Sequence, residues 1–216
     1  MNLEKIAEES RNEQFFDFGN KVLYDLCKNH PKHKNDGVIF AKIWLIGRAY
    51  AAAIERRKKY LKMNNDDFYE KKVINAFKKS GIDEEISRIS EYKNITENNI
   101  LDILKVHKSL INLVKEITDL EKRSLASKYL HFHLPDLFFI YDTRAASALR
   151  KISNPLKEEF KAIINDSKVD KEYAKYFCRS FVKMGDLGCK ISVRQFDNVL
   201  IKIANKTLKK GGFEND

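Results

Sequence analysis

A chain of 216 residues with only 8 glycines and 3 prolines has too few turn formers for the repeated tight reversals of a β-sandwich or barrel. Helices joined by polar loops remain. The hydrophobic share of 43%, with Ile, Leu, Phe and Tyr spread from end to end, excludes a disordered chain and is enough for a sizeable core. Apolar residues at three- and four-residue spacing predict helices over 2–28, 38–62, 66–79, 83–91, 97–117, 120–134, 143–152, 156–165, 171–184 and 193–209. Breaks fall at 29–37, at 64–67 and at 153–155, where Pro, Asn-Asp and Gly oppose helix continuation. The expected fold class is all-α, a compact multi-helix globular domain over residues 1–216.

Within the 2–28 segment, Ile6, Phe15, Phe16, Phe18, Val22, Leu23 and Leu26 are the apolar positions. In the 38–62 segment Ile39, Ile43, Ile46, Tyr50 and Ile54 form one stripe, and the small residues of 47–53 permit close approach of another backbone. That segment ends in Arg56-Arg57-Lys58-Lys59, cations that complement the negative end of a helix dipole.

Lys plus Arg number 41 against 31 Asp plus Glu, a formal charge of +10, and such a field draws polyanions. Nucleic acid is the expected partner, with Arg48, Arg56, Arg57, Lys122 and Arg123 as candidate phosphate contacts. Cys27, Cys178 and Cys189 are an odd number without CxxC spacing, which argues against a structural zinc and for free thiols in a reducing compartment. The first ten residues are polar and acidic, and no apolar run approaches the ~20 residues of a membrane span, so the expected location is the cytoplasm, with no membrane partner.

The segment from Arg123 to Ala145 carries the chemistry. Lys128 sits on a helix among apolar neighbours, Tyr129 and Phe132 included; Pro135 then turns the chain, an apolar run follows over 137–141, and Asp142 precedes Thr143-Arg144-Ala145. A lysine removed from water loses proton affinity, and a neutral amine is a nucleophile where an ammonium is not. Asp142 also suits an N-cap, accepting hydrogen bonds from the first amides of the next helix while the cap orients its carboxylate. The ordinary alternative is a structural Lys128–Asp142 pair.

This order of Ser-Lys on a helix, a Pro turn, an apolar run and an Asp at a helix start resembles the helix-hairpin-helix DNA glycosylases, in their 8-oxoguanine glycosylase-like branch. Residues 192–200 are similar to that family's closing helix. The stretch 119–127 contains no Gly, where the family's hairpin has a Gly-x-Gly turn that holds a DNA phosphate. The resemblance implies two helical lobes with a cleft near Lys128 and Asp142. It also implies excision of a damaged or modified base, such as 8-oxoguanine, from double-stranded DNA without metal or organic cofactor. Lys128 would attack C1′ and Asp142 would support the developing charge. His131 and Arg144 would assist, and Trp44, Tyr50, Phe15 and Phe16 are candidates for receiving the base.

Two other classes stay open. One is a non-catalytic nucleic-acid-binding or helical interaction module, with a role in phage defence. The other is a ribonuclease-like defence protein using His131 or His133. These two histidines diverge by about 200° on a helix and are not expected to share a metal.

Overall fold

Short polar side chains set where the helices begin. Asn35 accepts from the Val38 amide at 3.0 Å, Asn64 from Asp67 at 2.8 Å, Asp142 from Arg144 at 2.9 Å and Asp170 from Tyr173 at 2.8 Å, each meeting an amide that has no partner within its helix. The computed structural model describes residues 3–12, 15–56, 62–188 and 190–211, and among them every regular element is helical. In chain order these are α1 (Leu3–Glu9), α2 (Asp17–Asn29), α3 (Asp36–Ala49) and α4 (Asn65–Phe68), which runs through a π-helical stretch (Tyr69–Ile74) into α5 (Asn75–Lys79). There follow α6 (Ile82–Ile89), α7 (Ile100–Thr118), α8 (Arg123–His133), α9 (Thr143–Ile152), α10 (Glu158–Ile164), α11 (Lys171–Gly185) and α12 (Val193–Gly211). No helix among the described residues is long and apolar enough to cross a membrane.

The buried side chains join in one cluster that draws on both ends of the chain. Helix α8 lies centrally, packed by α2, α3 and α7, while α12 closes against α9 and α1. Helix α3 buries Ile39, Lys42, Ile43, Ile46 and Gly47, a stripe at the expected spacing that includes a lysine with no solvent exposure. Lys42 remains tolerable there because its amine donates to the His30 carbonyl.

Two helices differ from the sequence expectation. The 38–62 helix stops at Ala49: Ala51 takes a left-handed φ of 50° and the Ala52 amide closes back on the Gly47 carbonyl at 2.7 Å, a Schellman turn built on alanine. A left-handed alanine costs about 1–2 kcal/mol, so the surrounding packing holds it. A Cβ on Gly47 would lie 3.1 Å from Ala53 Cα, a contact that the turn would have to relax to admit. The expected 2–28 helix is interrupted between α1 and α2, and α2 turns Asn20, Leu23 and Cys27 inward. The period of that stripe leaves Phe18 and Val22 outward, so Phe15, Phe16, Phe18 and Val22 are exposed rather than buried.

Between α8 and α9 the chain turns through Leu137 and then runs without regular structure over 138–142, and Leu137, Phe138, Phe139 and Ile140 are all buried. A buried segment outside any helix needs partners for its backbone, and here side chains supply them. His131 Nδ1 donates to the Phe138 carbonyl, Tyr173 to Phe139 and Tyr176 to Ile140, each at 2.8 Å, and Ser124 donates to Tyr141 at 3.1 Å. The Tyr141 amide donates to Ser127 Oγ at 2.9 Å. Removing one such partner strands a buried polar group. Tyr173→Phe is therefore expected to destabilise the fold by about 1–3 kcal/mol in urea unfolding, and an unchanged midpoint would contradict this role of the phenol.

Candidate active site

Helix α8 carries Lys128 because Leu125, Tyr129 and Phe132 anchor its apolar faces in the core, which pulls the intervening lysine inward with them. Its amine donates to Ser124 Oγ at 2.8 Å and to the Tyr50 carbonyl at 3.1 Å, the latter being the carbonyl that the turn at Ala51 presents. The same nitrogen stands 3.9 Å from Asp142 Oδ2, an ion-pair separation rather than a hydrogen bond. Burial lowers the Lys128 pKa below that of an ordinary lysine, while the negative charges of Asp142 and Asp197 pull it back upward.

Asp142 arrives at this point as the cap of α9. Its Oδ1 accepts the Arg144 amide, and the exposed Arg144 guanidinium stands 3.6 Å from the same oxygen. Ser124 couples the two charged residues, receiving the amine of Lys128 while donating to the carbonyl of Tyr141, the residue before Asp142.

Lys128, Asp142, Arg144 and Tyr50 border one open cavity of about 640 Å³. Helices α2 and α12 supply the other walls. Phe16 and Phe18, 71% and 78% exposed, also line it. Along the α12 wall Arg194 pairs with Asp197 at 2.8 Å. Burial raises the Asp197 carboxyl to about 6 against the opposing pull of Arg194 and Lys128. The Tyr50 ring lies between two cations, 5.9 Å from Lys128 Nζ and 5.9 Å from Arg194 Cζ, and its hydroxyl donates to Asn20 Oδ1 at 2.7 Å.

Other expected site residues lie elsewhere. Trp44 stacks on Phe40 at 6.0 Å and is not part of the cavity wall. His131 does not support the amine: its Nδ1 donates to Phe138 and its Nε2 accepts from Tyr24 at 2.7 Å, and burial holds its pKa near about 3. A histidine so enclosed has no nitrogen left for acid–base work on RNA, and His133 faces away from it onto Tyr129 and His33. Among the described residues no grouping of His, Cys, Asp and Glu is placed to hold a metal ion.

Most of the cations assigned to phosphate serve the fold. Arg123 grips Asp170 with two nitrogens at 2.5 and 2.7 Å, Arg48 pairs with Glu55, and Lys122 donates to the Arg56 carbonyl at 2.5 Å. Arg56 is exposed, whereas Arg57 and Cys189 fall outside the described residues. The α7–α8 hairpin turns through Asp119 in the left-handed region, φ 61°, the position a glycine would ordinarily take. Glu121 follows in the same turn, its carboxylate held by Lys115 at 3.0 Å and Arg123 at 3.6 Å.

No protein-family model, curated protein or solved structure matches the chain.

Asp197 ties the site to stability. Its carboxyl is raised from 3.8 to about 6 in the folded chain, so the native state holds a proton that the unfolded state releases, and stability falls as pH rises through that window. A shift of that size corresponds to roughly 3 kcal/mol. Asp197→Asn removes the penalty, and its stability relative to wild type is expected to improve between about pH 4 and pH 7. Urea unfolding across that range measures it; a gap that does not vary with pH would contradict the assignment.

Proposed function

We propose that this chain is a lyase-type DNA glycosylase, of the helix-hairpin-helix kind its sequence resembles, excising a damaged or modified base such as 8-oxoguanine. One observation carries the reading: a desolvated lysine amine and a carboxylate stand 3.9 Å apart on the wall of a single open cavity. A base inside a duplex is out of reach of any side chain, so the target nucleotide must leave the stack at a cost of a few kcal/mol. A cavity of about 640 Å³ with an aromatic mouth suits an extruded nucleotide, and the positive net charge draws the duplex to it.

The chemistry balances with protein groups and water alone. The neutral Lys128 amine donates its lone pair to C1′, and the C1′–N bond breaks with its electron pair leaving on the base, which takes up a proton. The sugar ring then opens: the nitrogen loses a proton, the C1′–O4′ bond breaks, O4′ is protonated and an iminium remains. Loss of a C2′ proton expels the 3′-phosphate and cleaves the strand. Asp142 is placed to stabilise positive charge on the sugar and to receive a proton from the amine.

A non-catalytic nucleic-acid-binding module is the second reading, favoured by the hydrogen bonds that tie Lys128 to Tyr50 and Ser124. Borohydride reduction in the presence of an abasic duplex separates the two. The glycosylase reading expects a covalent adduct in wild type and none in Lys128→Gln. The second reading expects salt-dependent binding without adduct, and a Lys128→Gln variant altered in stability alone.

A further inference from the structure

Helix α2 is held differently from its neighbours. Of its 13 residues Asn20, Leu23 and Cys27 are the buried ones, whereas α8 buries eight of its 11 in the same core. Three cavities border α2. The Lys128 cavity meets it at Phe18, Val22 and Leu23, a second of about 230 Å³ at Asp17, Lys21 and Tyr24, and a third of about 460 Å³ at Tyr24, Cys27 and Lys28. An element with few buried apolar contacts and open space beside it separates from a core more readily than the core itself unfolds.

The far end of α2 is pinned. Just beyond it Lys42 donates to the His30 carbonyl, the His33 amide and Nδ1 donate to Asp83 at 2.9 and 2.5 Å, and Tyr129 donates to His33 Nε2 at 2.5 Å. Along the helix, two polar ties cross to the site. Tyr50 donates to Asn20 Oδ1 at 2.7 Å, and the carbonyl of the same Tyr50 receives Lys128. Tyr24 donates to His131 Nε2 at 2.7 Å, and the same His131 holds the Phe138 carbonyl in the segment that delivers Asp142. The position of α2 is thus communicated to both charged residues of the cavity, through a different side chain in each case.

We propose that α2 is a lid on the Lys128 cavity: it pivots about residues 30–33, and on closing it carries Phe16, Phe18 and Val22 onto a bound group while Tyr50 and His131 set Lys128 and Asp142 in place. Phe16, Phe18 and Val22 are exposed on the free end of the lever, and closure removes their apolar surface from water, which drives it. The site is assembled when the lid is docked and loosened when it lifts. This goes beyond the glycosylase reading and needs no part of it, since the motion belongs to the free chain.

Thiol labelling tests the motion without a substrate. Leu23 faces inward at 5% exposure, so a Leu23→Cys chain carries a reporter midway along the lid; Cys27, 1% exposed, lies nearer the pivot, and Cys178 on α11, 0% exposed, reports global unfolding in the same molecule. Iodoacetamide labelling of each thiol is followed by mass spectrometry of its peptide. The Leu23→Cys thiol is expected to label fastest, Cys27 next and Cys178 slowest, with about tenfold or more between first and last, as sub-global opening requires. Tyr50→Phe and Tyr24→Phe each cut one tie, and each is expected to raise the rate at position 23 about fivefold, the worth of one hydrogen bond, with Cys178 unchanged. Three thiols that label at one rate overturn the proposal. So does a rate at position 23 that neither variant alters, because the reagent is then entering a cavity whose wall stands still, and so does a rise that Cys178 shares, which is loosening of the whole fold. Borohydride trapping decides the glycosylase reading separately, and its failure leaves this result untouched.

Discussion

The site depends on a buried segment between α8 and α9 that belongs to no helix. Residues 137–140 lie inside a helical core, where each backbone carbonyl and amide must find a partner or cost the fold about 1–3 kcal/mol. Helices α8 and α11 answer with side chains: His131, Ser124 and Ser127 from one, Tyr173 and Tyr176 from the other. That arrangement fixes the end of the segment to within hydrogen-bond tolerance, and the end is Asp142. The same Ser124 hydroxyl receives Lys128. Lys128 and Asp142 are consequently held by one network rather than by two independent loops.

Around this pair the electrostatics oppose one another by design of position. Burial works against charge on both Lys128 and Asp197, while each charge favours the other. Neither group is sealed away, because both border the cavity. The outcome is a lysine that yields its proton more readily than one in water and a carboxylate that keeps its proton to higher pH than usual. Both groups therefore sit beside the cavity with their proton affinities moved away from those of solvated side chains.

Much of this was legible in the residue order. Helix α9 begins and ends where the sequence places it because Asp142 caps it and Ser153 leaves the helical region, both local effects. The end of α3 was not legible: the Schellman turn uses Ala51, and an alanine in the left-handed region gives no sign of itself in sequence. The split between α1 and α2 was likewise not legible, whereas the outward turn of Phe18 and Val22 follows from the period of the stripe that Asn20, Leu23 and Cys27 bury. Asn20, Lys42 and Asp197 carried a signal that went unread. Each falls on the inward stripe of its helix, Asp197 in register with Val193, Phe196 and Leu200, and a polar residue on an apolar stripe must be bonded, buried at a cost, or waiting for a ligand.

The claim on which the account turns is that the Lys128 amine gives up its proton more easily than a solvated one. Selective ¹³C labelling of lysine, with the Lys128 resonance assigned by its loss in Lys128→Gln, allows the Cε shift to be followed through a pH titration of the folded chain. The account requires a midpoint below the ordinary value of 10.5. A midpoint at or above it would mean that Asp142 and Asp197 outweigh burial, leaving a permanently charged lysine that holds the fold together and attacks nothing.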